Sequence, residues 1–146
     1  MKIFKIILPI LLMIPLLSTA QCRSFTKKKC LPVLNGYVQN DNYNSAMLIP
    51  GDEADLLLTF YGGKEYRLLI CSQPVLGDVE FEVYDDEDKL IYSNESTSET
   101  GNNYFDFKVK STMQLLVKLK VPIDEGIPAV TPSQGCVTVM IGSKEE

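Results

Sequence analysis

The sequence of 146 residues contains no histidine and no tryptophan. Histidine is the side chain that usually transfers protons near neutral pH, so its absence excludes Ser-His-Asp catalysis, Cys-His catalysis and histidine-based metal sites. The motif GxSxG is also missing, and Gly62-Gly63 leads into a strand-like segment rather than a helix, which excludes a glycine-rich phosphate loop. The sequence therefore lacks the machinery of the commonest hydrolases and nucleotide-binding proteins.

The first twenty residues have the pattern of a secretory signal peptide. Lys2 and Lys5 give a positive start, residues 6–17 are uncharged and apolar, and small residues stand where a signal peptidase cleaves. The apolar stretch is shorter than the about 20 residues that a membrane span needs. We therefore predict a signal peptide over residues 1–20 and an exported protein, located in the periplasm, in the cell envelope or outside the cell.

Two alternatives concern the fate of this N-terminus. One is an uncleaved membrane anchor, and the other is a lipid attached to Cys22, which lies near the cleavage point. A bacterial lipoprotein needs a small residue before that cysteine, and Gln21 stands there instead, so we disfavour lipidation.

The exported part of the chain is acidic. Cleavage removes Lys2 and Lys5 and leaves 12 basic against 19 acidic residues, a net charge of −7. This balance argues against a nucleic-acid partner. No second apolar span follows, so we expect no transmembrane segment after signal cleavage.

Four cysteines lie in the exported part: Cys22, Cys30, Cys71 and Cys136. An even number in an oxidising compartment predicts two disulfides, for which three pairings are possible. We favour Cys22–Cys30, which closes a small loop across RSFTKKK, together with Cys71–Cys136, because both members of that pair lie in strand-like segments. Zinc binding is disfavoured, since the chain has neither CxxC spacing nor histidine.

Alternation of apolar and polar side chains dominates the chain from residue 45 onward, and turn residues separate the alternating runs. This pattern predicts an all-β protein, an antiparallel β-sandwich of seven to eight strands resembling a jelly roll. The sandwich would span residues 45–146, after an N-terminal segment at 21–44 that carries the small disulfide loop. The apolar sets expected to face inward include Val79, Phe81 and Val83; Phe105, Phe107 and Val109; Leu115, Val117 and Leu119; and Val137, Val139 and Ile141.

The register across Gly62-Gly63 is open to two readings. A two-residue hairpin would place Leu57 opposite Leu68. A one-residue slip would instead group Leu56, Leu58 and Phe60 with Tyr66, Leu68 and Ile70, which gives a cleaner apolar core. The chain could also turn a corner here and pass from one sheet to the other.

An acidic run, DDED at residues 85–88, interrupts two alternating segments. Calcium loops need spaced oxygen ligands and often a glycine, both of which this run lacks, whereas aspartate is favoured in short turns. We therefore predict a plain hairpin tip. A surface calcium site is the alternative, with candidate ligands Asp85, Asp86 and Asp88, joined by Asp52, Glu53 or Asp55 from a neighbouring loop.

Paired carboxylates are the remaining route to catalysis. Glu80 and Glu82 share one strand face at roughly 7 Å, a spacing compatible with an inverting glycosidase. We favour instead a solvent-facing role opposite Arg67, Lys118 or Lys120, on a sheet face without a cleft. We assign no catalytic residue and no cofactor.

Residues 52–142 resemble the jelly-roll sandwich of bacterial pre-peptidase C-terminal domains. The shared features are an acidic residue before the aromatic-ended strand ADLLLTFY, a glycine turn, the alternating VEFEVY, an acidic turn, and the leucine- and valine-rich TMQLLVKLKV. The sequence is also similar to small secreted proteins of Bacteroidota without an assigned activity. The resemblance implies a non-catalytic module that assists secretion or binds polymers, although we expect no accompanying enzyme here.

Together these patterns predict a secreted or periplasmic, non-catalytic β-sandwich module that binds an envelope protein or a glycan. The alternatives are a small carboxylate-dependent glycan hydrolase and a calcium-stabilised accessory domain. No binding residue is assigned from the sequence.

Overall fold

A computed structural model describes residues 17–40, 43–95, 103–123 and 133–145 of the chain. Residues 1–16 of the predicted signal peptide lie outside this range, so that peptide stays a prediction. The described residues form nine strands, which are β1 (Val38–Gln39), β2 (Asn44–Leu48), β3 (Glu53–Phe60), β4 (Lys64–Ser72), β5 (Glu80–Tyr84), β6 (Leu90–Ser93), β7 (Tyr104–Val109), β8 (Met113–Lys120) and β9 (Gly135–Glu145).

The strands form two antiparallel sheets, which confirms the predicted all-β sandwich. In the five-stranded sheet, β1 and β2 both pair with β9, which is followed by β4 and β7. The four-stranded sheet has the order β3-β8-β5-β6. The pairs β2–β9, β3–β8, β4–β7 and β5–β6 are nested like the arms of one long hairpin, and the pairs β9–β4 and β8–β5 close the roll. This is the connectivity of a jelly roll.

The main core lies between the two sheets and uses the predicted inward sets. Of the residues that the structure describes, fifteen buried side chains belong to this core, among them Phe60, Tyr66, Leu68, Phe81, Leu115 and Val137. The alternation predicted in β5, β8 and the first half of β9 is confirmed by this arrangement, because every second residue of each strand points to the same side of its sheet.

A corner replaces the hairpin at Gly62-Gly63. Strand β3 belongs to one sheet and β4 to the other, so the chain crosses the sandwich here. A Cβ at Gly62 would lie 2.7 Å from the Lys110 carbonyl oxygen, and Gly63 has φ +81°, a conformation that favours glycine. The corner directs Leu56, Leu58 and Phe60 toward the core, as the second of the two readings predicted.

The N-terminal segment is helical, which the sequence did not indicate. Helix α1 (Leu17–Phe25) continues into a π-helical turn (Thr26–Cys30) and a 3-10 turn (Leu31–Leu34). The predicted small disulfide loop across RSFTKKK is therefore wrong: Lys27, Lys28 and Lys29 lie exposed on the π-helical turn. None of the helices in the described part of the chain is long and apolar enough to cross a membrane.

This segment covers the outer side of the five-stranded sheet. A second, smaller core forms between them from Cys30, Leu34, Leu69 and Met140, all buried. Because the apolar residues of the segment follow no regular helical stripe, its conformation depends on this packing and on the disulfides rather than on local pattern.

The disulfides are Cys22–Cys136 and Cys30–Cys71, with Cα–Cα distances of 5.4 and 5.7 Å. All four cysteines are bridged, but the pairing that we favoured is wrong. Cys71 pairs in register with Thr138, so Cys136 is a diagonal neighbour at about 7–8 Å, beyond disulfide reach. Seven helical residues separate Cys22 from Cys30, and the eight steps between the two cysteines rise about 12 Å along the helix, which excludes a bridge between them. The Cys22 sulfur is bonded to Cys136 and is not free to carry a lipid.

Arg67 ties the segment to the sheet. Its guanidinium donates to both carboxylate oxygens of Asp106 at 2.8 and 2.7 Å and to the Val33 carbonyl at 3.0 Å. The same group lies 4.7 Å from the ring centre of Tyr37 and 4.2 Å from that of Tyr104. A planar guanidinium satisfies all of these contacts at once, which a lysine ammonium does not.

Candidate binding face

The outer side of the four-stranded sheet remains open, and its side chains form rows across the strands. The strand register aligns Glu53, Lys120 and Glu80 in one row, and Asp55, Lys118 and Glu82 in the next. We call these the charged rows. A third row, which we call the apolar row, contains Leu57, Leu116, Tyr84 and Leu90. We refer to the charged rows and the apolar row together as the open face.

A cleft of about 330 Å³ lies over the charged rows. Its lining includes Ser93 and Glu95, at the end of β6 and just beyond it. The prediction that this side of the sheet has no cleft is therefore wrong, because long carboxylate and ammonium side chains stand around exposed backbone of the middle strands. Five carboxylates and two lysines line the cleft: Glu53, Asp55, Glu80, Glu82, Glu95, Lys118 and Lys120.

Glu80 and Glu82 lie opposite Lys120 and Lys118, as predicted. The prediction of Arg67 as a third partner is wrong, since Arg67 belongs to β4 in the other sheet. Glu82 also accepts a hydrogen bond from the Tyr84 hydroxyl at 2.6 Å. This hydrogen bond raises the pKa of Tyr84 above its usual value, and partial burial of the hydroxyl raises it further by a smaller amount.

Tyr84 links the charged rows to the apolar row. Besides its bond to Glu82, its ring lies 5.2 Å from the Lys118 ammonium, within the range of a cation–π contact. The sheet register places Leu116 beside the same ring. These contacts hold the ring across the boundary between the rows, so that one end of it is polar and the other apolar.

The acidic run forms a hairpin tip between β5 and β6, as predicted. The Asp85 carboxylate accepts hydrogen bonds from the backbone of Glu87 at 3.0 Å and of Lys89 at 2.9 Å. Asp88 adopts φ 59°, which this residue type tolerates in turns. The tip is therefore held by its own backbone contacts.

The calcium site predicted as an alternative is not assembled. Asp52 and Glu53 lie toward the opposite end of the sheet, where the five residues from Asp52 to the row of Tyr84 span about 17 Å. Asp55 lies on β3, which β8 separates from the strands of the hairpin tip. The Asp52 carboxylate instead accepts from the Ile49 amide at 2.9 Å. Among the residues that the structure describes, no group of three or more histidine, cysteine, aspartate or glutamate side chains could hold a metal ion.

Asn94 matches a glycosylation motif in the sequence but has a structural role. Its side-chain oxygen accepts from the Phe81 amide at 2.7 Å, and its side-chain nitrogen donates to the Val79 carbonyl at 2.9 Å. These bonds satisfy backbone groups at the start of β5, next to the cleft.

Sequence reasoning missed the apolar row. Leu57 stands between Leu56 and Leu58, and this run of three leucines hides the fact that the middle one occupies an outward position. Leu57 is 65% exposed and Leu90 is 47% exposed. A search for apolar residues in the polar phase of each alternating strand would have found Leu57, Leu116 and Tyr84, although not their neighbourhood across strands.

Comparisons with known proteins give little further information. No protein-family model matches the sequence, and no curated protein matches it. A solved structure, the Aeromonas hydrophila periplasmic inhibitor of g-type lysozyme PliG, matches with a TM-score of 0.48 and 11% sequence identity over 75% of this chain and 89% of that one. A similarity at this level carries no functional argument. The resemblance to pre-peptidase C-terminal domains stays a prediction.

Proposed function

We propose that this protein is an exported, non-catalytic module that binds a protein of the cell envelope through the open face. The observation that carries the proposal is the apolar row, a line of exposed and half-buried apolar side chains across a sheet surface that nothing in the described chain covers. Contiguous apolar surface bordered by charge is characteristic of protein interaction sites.

The two sheets differ in a way that supports this choice. The five-stranded sheet has its outer side covered by the N-terminal segment, which two disulfides hold in place. The four-stranded sheet has no comparable cover in the described residues, and Leu57 stands 65% exposed on it. Because one sheet is covered while the other leaves apolar side chains exposed, we favour the exposed sheet surface as the one that binds a partner.

The chemistry of the open face favours a partner whose contact surface is basic. Five carboxylates surround only two lysines in the cleft beside the apolar row. A partner with arginine or lysine near an apolar centre would match both features. Such a complex should weaken as salt is added, because exposed charges at the rim are screened.

Non-catalysis is supported by the surroundings of the only paired carboxylates that suggested a reaction. Glu80 and Glu82 each have a lysine as their cross-strand neighbour, and Glu82 accepts from Tyr84. Each carboxyl therefore has a positively charged neighbour instead of the apolar surroundings in which general acids are found. The absence of histidine removes the usual alternative.

The test compares two double variants of the oxidised, processed protein. We expect the Leu57→Ser/Leu90→Ser variant to fail to capture a protein that the wild type captures from native envelope extract. Its affinity for the purified partner should be lower than that of the wild type by about tenfold or more, since central apolar contacts carry most interface energy. The matched control is Val38→Ser/Val75→Ser, whose side chains are 73% and 53% exposed outside the open face. It should bind like the wild type.

Two results would oppose this function. The first is equal loss of partner in both double variants, or retention in both. The second is turnover of a glycan or peptide substrate that the Glu80→Gln/Glu82→Gln variant abolishes, which would assign a hydrolase instead. Capture of a polysaccharide rather than a protein on the open face would support the glycan alternative.

A further inference from the structure

A second concave surface lies at the Gly62-Gly63 corner and shares no residue with the open face. It is a groove of about 310 Å³ at the junction of β1, β9 and the start of β4. Six residues line it: Gln39, Asn40, Tyr61, Lys64, Tyr66 and Ser143.

Tyr61 provides an exposed aromatic ring in this groove. Its side chain is 64% exposed although it follows directly after the fully buried Phe60. The Tyr61 amide donates to the Tyr66 hydroxyl at 3.0 Å, and that hydroxyl donates to the Tyr61 carbonyl at 3.2 Å. Because Tyr66 is buried in the core, these two bonds fix the backbone from which the exposed ring projects.

The remaining lining is polar and close to electrically neutral. Ser143 donates to the Asn40 side-chain oxygen at 3.2 Å, and the Gln39 amide lies on the same wall. The Lys64 ammonium is 3.1 Å from a Glu145 carboxylate, so its charge is locally compensated. The groove therefore offers several neutral donors and acceptors beside one aromatic ring, without an aliphatic side chain.

From this composition we infer that the groove binds a saccharide. A sugar ring has an apolar face of C–H bonds, which packs on an aromatic ring, and a rim of hydroxyls, which bonds to amide and hydroxyl groups. An apolar ligand would find only the exposed Tyr61 ring here, and a strongly charged ligand would find the Lys64 ammonium already paired with Glu145. This site is independent of the proposed protein-binding function.

The test is titration of the oxidised protein with three trisaccharides, N,N′,N″-triacetylchitotriose, maltotriose and cellotriose, followed by amide shifts in two-dimensional NMR. We expect at least one of them to shift the amides of Tyr61 and Ser143 at millimolar concentration. Tyr61→Ala should weaken that binding about tenfold or more, whereas Tyr61→Phe, which keeps the ring, should retain most of it.

Further variants separate this inference from a structural effect and from the open face. Ser143→Ala should lower the affinity for the sugar severalfold, because it removes a hydroxyl but keeps the contact with the Tyr61 ring. Leu57→Ser/Leu90→Ser should leave the affinity for the sugar unchanged. If none of the three sugars shifts these amides, or if Tyr61→Ala binds as tightly as the wild type, the groove is not a saccharide site.

Discussion

The double substitution Cys30→Ser/Cys71→Ser is expected to lower the free energy of unfolding by about 4 kcal/mol, and Cys22→Ser/Cys136→Ser by about 5 kcal/mol. The difference follows from the sequence separations of 41 and 114 residues, since a longer loop loses more entropy when it is closed in the unfolded chain. Urea denaturation of each variant, with circular dichroism as the signal, measures both values.

A mixed variant provides the control for this prediction. Cys22→Ser/Cys30→Ser removes one partner from each bridge and should leave two free thiols, on Cys71 and Cys136. It should be about as unstable as the fully reduced wild type. If this variant instead retains one disulfide and shows no free thiol, and its free energy of unfolding falls only by the contribution of one bridge, then Cys71 and Cys136 are bonded to each other.

The second large effect concerns the core at the corner. Phe60→Ala is expected to destabilise the protein by about 4 kcal/mol, because the ring is fully buried and removing it leaves a cavity. Its centre lies 5.0 Å from the rings of both Tyr66 and Phe107. Thermal or urea unfolding measures the loss.

Leu57→Ala, three residues earlier on the same strand, is the matched control. Its side chain is 65% exposed, so the substitution should change the unfolding free energy by less than about 0.5 kcal/mol. A larger loss for Leu57→Ala than for Phe60→Ala would mean that β3 is shifted by one residue, which would turn the apolar row inward and remove the open face.

The strands were predictable because their alternation is a local signal. Phe81 and Val83 point inward and Glu80 and Glu82 outward simply by their position in sequence. The hairpin tip at Asp85 was predictable for the same reason, since its hydrogen bonds reach no farther than Lys89. Even the choice between two groupings at Gly62-Gly63 favoured the correct inward set.

The disulfide pairing and the open face were not predictable, because both depend on contacts between distant segments. Cys22 meets Cys136 only because the N-terminal segment folds as a helix over β9, and that segment has no periodic apolar stripe. Likewise, Leu57 and Tyr84 share a row only because β8 lies between β3 and β5. The favoured pairing assumed that two cysteines on adjacent strands lie opposite one another, whereas Cys71 lies opposite Thr138.

Two disulfides bond the N-terminal segment over the five-stranded sheet, and in the described chain the outer side of the four-stranded sheet stays open. Mass spectrometry of the native, unreduced protein after trypsin digestion tests this directly, because cleavage at arginine and lysine places each cysteine on a separate peptide. We predict one linked pair that contains Cys22 and Cys136 and another that contains Cys30 and Cys71. Linked peptides that join Cys22 to Cys30 and Cys71 to Cys136 would contradict this arrangement of the N-terminal segment.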